Sequence, residues 1–449
     1  MQIDVEAEIS SWRTAIQKAN HLNDETLQEL EDHLRDEMES LVQSGLKEDE
    51  ALIIAVRRLG NGREIGRELA DVDSDKLWKH LFDANPSHDP IVPRELAWVI
   101  GAALLAALLG KIPLILGVPM DGPGLEVYTR NLAVFVAPIL FVTYLSKNGC
   151  RLHRGATLFT LALTAVLAAN LYPFPPGSDS SMLFAIHLPL LMWLGVGLAY
   201  TGDEWRTVRA PVDFIRFTGE FFLYSVLILC GGGVLVALIG VTFEAIDIPS
   251  EEWVIEYVAF SGFLATPVVA AYLVEKKRSL IENLAPVLAR IFIPLFVLTM
   301  AGYIIAVAVT QKSVVDDRDM LIVIDLLLLL VVGMVLYDLS ARSESEGFSI
   351  SHGMNVALIG AALIIDAMAL YGIAVRLSDF GFTPNRVAAL GENVLLLGNL
   401  VVLALAYARM ATGRADLSLL WGWQVRYLGV YAVWFMLVVF ALPPLFGFR

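Results

Sequence analysis

Polar side chains interrupt two apolar stretches between Asn355 and Arg409. Asp366 lies near the middle of the first stretch, and Glu392 and Asn399 lie in the second. Carboxylate and amide groups are costly in hydrocarbon, so they usually face a bundle interior, a cavity or a partner. An uncompensated carboxylate at that depth tends to take up a proton or a cation. This pattern predicts a proton or cation relay, or a site for a polar substrate.

The candidate binding cluster includes the segment that joins the two stretches and one earlier carboxylate. Lys111, Arg376 and Arg386 are the cations that could balance Asp366. The alternative interpretation is a structural clamp, in which Thr383 and Pro384 begin a helix and the polar groups lock the bundle. Both interpretations stay open from sequence. The complete set of candidate binding residues is Asp325, Asp366, Arg376, Thr383, Asn385, Arg386, Glu392 and Asn399.

Three further intramembrane polar residues are Lys111, Glu220 and Arg290. Glu220 and Arg290 lie near the ends of their apolar stretches, where a long side chain can extend to the interface. His187 is interpreted as an interfacial hydrogen-bonding residue and not as a ligand.

Motifs for metal binding and catalysis are absent from the sequence. His33 lies among Glu29, Asp32, Asp36 and Glu37, but no second His or Cys completes a ligand pattern, so a solvated acidic helix face is favoured over a metal site. The sequence contains no His-Glu-x-x-His, no Gly-x-Ser-x-Gly and no phosphate-binding loop. We therefore expect neither an enzyme nor a bound cofactor.

Composition places these residues in a polytopic membrane protein. Of 449 residues, 57% are hydrophobic and 18% are charged, with a mean hydropathy of +0.64. Residues 1–90 hold 21 acidic and 10 basic residues, so much of the net charge of −15 belongs to a soluble N-terminal region. An acidic region gains nothing from phosphate neutralisation, and we expect no nucleic-acid partner.

Apolar stretches of membrane-spanning length predict an all-α bundle of about eleven transmembrane helices. A small N-terminal helical domain covers residues 1–82, a linker covers residues 83–94, and the bundle covers residues 95–449. The first residues are too polar for a signal peptide. The predicted spans lie near residues 96–118, 131–146, 155–172, 182–200, 214–240, 253–274, 288–310, 320–339, 353–375, 390–410 and 427–446.

Basic residues near the span ends predict the orientation. With the N-terminus in the cytosol, fifteen Lys and Arg lie on the cytosolic side and six on the other. We therefore expect a bacterial inner-membrane protein whose C-terminus lies outside. Membrane lipids are its expected partners, and a homo-oligomer is left open. The Gly231–Gly232–Gly233 triplet in the fifth span permits a break or a close helix approach, with packing favoured.

Three amphipathic helices are predicted before the linker, with a fourth following Gly60. In the second, Leu27, Leu30, Leu34, Met38 and Leu41 follow the spacing of one helical face. The runs Leu30-Glu-Asp-His-Leu-Arg-Asp-Glu37, Gly45-Leu46, Glu48-Asp-Glu-Ala51 and Arg57-Arg-Leu-Gly60 resemble the permease-prefix or HAAS-type helical domain, over residues 6–75. The family usually has a Ser-type cap where Lys47 stands. The resemblance implies a cytosolic adaptor that binds a regulatory protein, such as a PadR-like regulator.

The membrane region carries a second resemblance, from Ala210 to the C-terminus. Its motifs are Phe217-Thr-Gly-Glu220, Leu229-Cys-Gly-Gly-Gly233, Thr266-Pro-Val-Val-Ala-Ala-Tyr272, Ala285-Pro-Val-Leu-Ala-Arg290 and Phe382-Thr-Pro-Asn-Arg386. In this order they resemble an uncharacterised bacterial membrane family, domain of unknown function 4153. That family usually has a tyrosine before the Thr-Pro-Asn-Arg run, whereas Phe380-Gly381-Phe382 stands here. The resemblance implies a membrane bundle without an assigned chemistry.

Two functions follow from these patterns. The first is a sensor or adaptor whose bundle binds a signal and whose N-terminal domain reports it to a cytosolic partner. The second is a secondary transporter or channel for a cation or small polar solute that uses the Asp366 region. The two hypotheses differ in whether solute flux or partner binding is the output.

Overall fold

The computed structural model consists of two compact units, Met1–Val92 and Pro93–Arg449. It describes residues 9, 31–32, 34–36, 38, 41–42, 51–52 and 55 of the first unit. In the second unit it describes residues 93–149, 151–245, 249, 251–276, 284–310, 318–340, 342 and 350–449. All regular structure within these ranges is helical, so the predicted all-α fold is confirmed.

The described residues of the first unit form a small apolar core. Leu34, Met38 and Leu41 face that core, as the helical spacing predicts. His33, the fourth predicted helix and the linker up to residue 92 lie outside the described residues. The complete core is Ile9, Leu34, Leu41, Ala51, Leu52 and Ala55, with Met38 packed against it.

The membrane unit is built from long apolar helices. Among the described residues, ten segments are long and apolar enough to cross a membrane, so this is a multi-pass integral membrane protein. The helices are α1 Pro93–Leu109, α2 Gly122–Asn148, α3 Leu152–Leu171, α4 Asp179–Thr201, α5 Arg209–Glu244, α6 Phe260–Lys276, α7 Leu284–Thr310, α8 Arg318–Ser340, α9 Ile350–Phe380, α10 Pro384–Ala411 and α11 Leu417–Met436. A π-helical segment, Leu437–Ala441, and a short helix, Leu442–Leu445, extend α11.

Helix α1 is the one predicted span that is interrupted. Its apolar part, Glu95–Leu109, is shorter than the other ten segments. At 1.5 Å per residue, such a helix covers about 22 Å of a hydrocarbon core of roughly 30 Å. The chain turns at Gly110 and Lys111 and then forms one helical turn, Ile112–Ile115. Pro113 explains the interruption, because it has no N–H to donate to the Leu109 carbonyl oxygen four residues earlier, whereas it fits the first turn of the new helix.

Helix α5 is continuous across the glycine triplet. A Cβ added at Gly231, Gly232 or Gly233 would meet no atom within 4 Å, and all three residues are exposed. The expected use of the triplet in close packing is therefore wrong for the described part of this chain. The three glycines keep the helical conformation, because the helix continues through apolar residues on both sides of them.

A three-residue turn joins α9 to α10. Helix α9 continues through Arg376 to Phe380, so most of the segment expected as a connection is helical. Gly381 then adopts a φ of 74°, which favours glycine at the end of a helix. The Thr383 hydroxyl accepts a hydrogen bond from the Arg386 N–H at 3.4 Å, and Pro384 begins α10 as predicted.

Two hydrophobic cores divide the membrane unit into lobes. The N-terminal lobe comprises α1–α4, α6 and the first part of α5, and its core includes Phe141, Phe184 and Phe217. The C-terminal lobe comprises α7–α11. A smaller cluster, which includes Leu183 of α4 and Ala388 of α10, joins them. The polar residues described below lie inside the C-terminal lobe and at its contact with α4.

Candidate functional site

Asp325, Asp366 and Asn393 form a carboxylate-rich cluster inside the C-terminal lobe. They come from α8, α9 and α10 respectively. The Asn393 amide donates hydrogen bonds to Asp325 Oδ1 at 2.7 Å and to the Ala389 carbonyl oxygen at 2.8 Å. Asp325 and Asp366 are close enough for their charges to interact. Two carboxylates and an amide oxygen therefore share one region of the bundle.

Asp366 has no hydrogen-bond partner among the described residues. Its side chain is completely buried, and both carboxylate oxygens lack a donor. The Oδ1 atom of Asn393 is also buried without a partner. A carboxylate in such surroundings is strongly disfavoured as a bare charge, so it must gain a proton or a cation. Three oxygen atoms near one another could accept either.

The cations expected to balance Asp366 make other contacts. The Lys111 ammonium donates to the Glu256 carbonyl oxygen and lies 4.5 Å from the centroid of the Tyr257 ring. Arg386 donates to the Phe380 and Gly381 carbonyl oxygens at 2.8 and 2.7 Å, so it caps the end of α9. Neither of these two cations therefore pairs with Asp366, whereas Arg386 satisfies a helix end as the clamp interpretation expects.

The remaining cation, Arg376, is half-buried in α9, and its Nη1 atom lacks a hydrogen-bond partner in the described chain. Asn385 is half-buried in the first turn of α10, next to the Thr383 cap. Thr383 and Arg386 act on helix ends. The structure therefore separates the predicted cluster into helix caps and a smaller carboxylate group.

Glu392 contacts His187 across the two lobes. Nε2 of His187 in α4 hydrogen-bonds to Oε1 of Glu392 in α10, and Nδ1 of the same ring lies 2.8 Å from the Leu183 carbonyl oxygen. His187 is buried, and the Glu392 side chain is 27% exposed. Glu392 also acts electrostatically on Asp325. The expected hydrogen-bonding role of His187 is confirmed, but its partner was not predicted.

Asn399 belongs to a closed hydrogen-bond network between α10 and α11. Its Oδ1 accepts from Trp423 Nε1 at 2.8 Å and from Gln424 Nε2 at 3.0 Å. Its Nδ2 donates to Gln424 Oε1 at 3.3 Å and to the Tyr431 hydroxyl at 3.0 Å. All of its polar atoms have partners, which favours a structural role for this residue.

Glu220 is buried instead of extending to the interface as expected. Its exposed fraction is 3%, and its charge acts on Tyr337 of α8. It therefore contributes to the contact between α5 and the C-terminal lobe. The side chain of Arg290 lies outside the described residues.

A second polar network was missed in the sequence. Arg342 donates to Asp338 Oδ2 from Nε and Nη2, at 2.9 and 2.7 Å, and its Nη1 lies 3.3 Å from the His352 ring. Asn355 donates to the same Asp338 oxygen at 2.6 Å and to the Tyr407 hydroxyl at 3.2 Å. The signal available in sequence was the Asp-Arg pair at spacing four, next to the end of α8.

Comparisons with known proteins identify no relative. No family model, no curated protein and no solved structure matches the chain. Within the described residues, no group of three or more His, Cys, Asp or Glu side chains could hold a metal ion together. The assignment of a function therefore depends on the geometry of the carboxylate cluster.

Proposed function

We propose that the membrane unit binds a proton or a small monovalent cation at Asp366, with Asp325 and Asn393, and serves as an ion-dependent secondary transporter or channel of the bacterial inner membrane. The observation that carries this proposal is the completely buried Asp366 carboxylate, which has no hydrogen-bond partner in the described chain. Carboxylates inside membrane spans commonly mark ion pathways and proton relays.

The chemistry of the donors favours a small hard cation or a proton. Oxygen atoms from two carboxylates and one amide suit ions such as Na⁺, which bind oxygen ligands. A monovalent cation would balance one of the two charges of Asp325 and Asp366, and a proton would do so by converting one of them to a neutral acid. In either form the ion takes part by binding, and no catalytic step is assigned to the chain.

A second candidate, the sensor or adaptor function, is favoured by the N-terminal unit. Its described residues have their own core, which includes Leu34, Leu41 and Leu52. A domain with a separate core can bind a cytosolic regulatory protein while the bundle responds to an ion. In this version the ion at Asp366 is the signal and partner binding is the output.

Ion-dependent stability of the purified full-length protein tests the first proposal. A ligand that binds only the folded state stabilises it by about 2.7 kcal/mol at one hundred times its Kd. We expect the thermal unfolding temperature to rise with NaCl but not with choline chloride at the same ionic strength. Asp366→Asn should abolish this rise, whereas Asp379→Asn, at the exposed end of the same helix, should retain it.

Flux then separates the two candidate functions. Proteoliposomes with radioactive sodium or an entrapped pH dye should show flux that Asp366→Asn abolishes. Sodium-dependent stability without any flux would favour the sensor instead. Removal of residues 1–85 should then prevent capture of the cytosolic partner. If sodium and pH leave the stability of Asp366→Asn and wild type equally unchanged, the ion site is refuted.

A further inference from the structure

The His187–Glu392 contact requires a proton that the ion site alone does not explain. Nδ1 of His187 lies 2.8 Å from the Leu183 carbonyl oxygen. A carbonyl oxygen can only accept a hydrogen bond, so Nδ1 must carry a hydrogen. In a neutral imidazole the other nitrogen, Nε2, is then an acceptor without a hydrogen.

The second contact of the His187 ring determines how many protons the His187–Glu392 pair holds. Nε2 hydrogen-bonds to Glu392 Oε1, and a carboxylate oxygen is also an acceptor. Two acceptors bond only if one proton lies between them. The pair is therefore either imidazolium with carboxylate or imidazole with carboxylic acid. In both forms it holds one dissociable proton and has no net charge.

The surroundings connect this proton to the carboxylate cluster. Glu392 directly precedes Asn393, whose amide donates to Asp325 of α8 at 2.7 Å, and the charges of Glu392 and Asp366 both interact with Asp325. From α11 the uncharged ring of Phe435 packs on His187, with centroids 5.9 Å apart.

Two charged residues of α2 lie beside the first turn of α4, before His187. Arg130 and Glu126 both contact Ser181. Ser181 precedes His187 by six residues, which is about 9 Å along a helix. Asp325 is therefore the charged group beyond the pair that the described structure places against Glu392.

We propose that the His187–Glu392 pair is a proton-binding site that gives up its proton to water when the Asp325–Asp366 site takes up a monovalent cation. This inference rests on the proposed function. Loss of the proton changes the pair from neutral to a charge of −1, with a neutral imidazole and a Glu392 carboxylate. The entering cation adds a charge of +1, so the total charge of the two sites is conserved.

Electrostatics gives the direction of this coupling. The Glu392 carboxylate, once it has lost the imidazolium, attracts a cation at the neighbouring Asp325 site more strongly. Thermodynamic linkage is reciprocal, so bound cation must weaken proton binding by the same factor. The neutral imidazole that remains has a single N–H, so it keeps either the Glu392 bond between the lobes or the Leu183 bond within α4, and the hydrogen bonding at this contact is weakened. Cation binding is thereby connected to the packing of the two lobes.

Proton counting on the purified full-length protein tests the inference. The protein is placed in lipid nanodiscs in weak buffer with a pH dye, and NaCl is added against a choline chloride reference. We expect wild type to release about one more proton per sodium ion bound than Glu392→Gln does, and its sodium affinity to rise more steeply with pH. Glu392→Gln should still bind sodium and should release only the proton that sodium displaces from Asp366.

A second variant and a control complete the experiment. His187→Gln should also release about one proton fewer per sodium ion than wild type, and it replaces Glu392→Gln if that variant does not fold. Asp379→Asn should behave as wild type. Equal proton release by wild type and both pair variants, or sodium binding by wild type without release, overturns this inference alone. Absence of sodium binding in wild type also overturns this inference, and it overturns the proposed function as well only if pH leaves the stability of wild type and Asp366→Asn equally unchanged.

Discussion

The Asn393 amide donates a 2.7 Å hydrogen bond to Asp325, and this bond links α10 to α8 within the carboxylate cluster. The same amide group bonds to the Ala389 carbonyl oxygen, so its orientation is fixed by its own helix. Asp325 therefore has a directed donor, whereas Asp366 has none among the described residues. The two carboxylates differ in what their removal should do.

Asn393→Ala should destabilise the protein. The substitution leaves the Asp325 carboxylate without its donor, and an unsatisfied buried polar group costs about 1–3 kcal/mol. Chemical or thermal unfolding in detergent measures the loss. Asn385→Ala is the matched control, because the described residues make no hydrogen bond to the Asn385 side chain, and it should change stability by less than about 0.5 kcal/mol.

Asp366→Leu should have the opposite effect when sodium is absent. Leucine removes a buried carboxylate that lacks a partner, so stability should rise by about 1–3 kcal/mol in choline chloride. The gain from added sodium should disappear in the same variant. A marked destabilisation would show that the carboxylate already has a structural partner, which the proposed ion site does not allow.

Asp338→Ala and Arg342→Ala should each be severely destabilising. Both side chains are about nine-tenths buried, and removal of either breaks their ion pair. Breaking such a pair costs about 3–5 kcal/mol. The double variant should cost less than the sum of the two single variants, and a double-mutant cycle measures the difference. Strict additivity would contradict the ion pair.

Gly391→Ala tests the contact between α10 and α11. A Cβ at Gly391 would overlap the indole ring of Trp434, so one of the helices must shift. Overpacking of this kind costs about 1–3 kcal/mol. Gly360→Ala is the control, because a Cβ there meets nothing within 4 Å. In a helix interior it should be neutral or slightly stabilising.

Cysteine labelling tests the predicted orientation. The Ser180 N–H donates to the Arg449 carbonyl oxygen at 2.8 Å, so the C-terminus lies beside the start of α4. After Cys150 and Cys230 are replaced by serine, Asp121→Cys and Ser178→Cys should react with a membrane-impermeant reagent from outside. Arg414→Cys should react only after the membrane is opened. The reverse labelling pattern would show that the protein has the opposite orientation in the membrane.

Helix positions were predictable from sequence because long apolar stretches have few alternatives in a bilayer. The boundaries of the helices were less predictable. Helix α9 extends to Phe380 because no helix-breaking residue occurs before Gly381, although the charged and polar residues suggested a connection. Helix α1 stops early because Gly110 and Pro113 outweigh the apolar composition around them.

The types of residue at the candidate site were also predictable, but their partners were not. A carboxylate in an apolar stretch is visible in any sequence. His187 and Glu392 are 205 residues apart, and their contact depends on how α4 and α10 are rotated and displaced along one another. Periodicity within one helix gives no information on that register. The Lys111 partner failed for this reason, whereas Arg376 lies ten residues after Asp366 in the same helix, which is about 15 Å along its axis.

The length of α5 has a consequence for the membrane in which the protein can reside. Its uncharged part, residues 221–243, extends about 35 Å at 1.5 Å per residue, against a hydrocarbon thickness of about 30 Å. Its most apolar window is unburied within the protein. Hydrophobic mismatch should therefore make α5 tilt, thicken the bilayer around it, or do both. Thicker membranes should accommodate this protein at lower cost than thin ones.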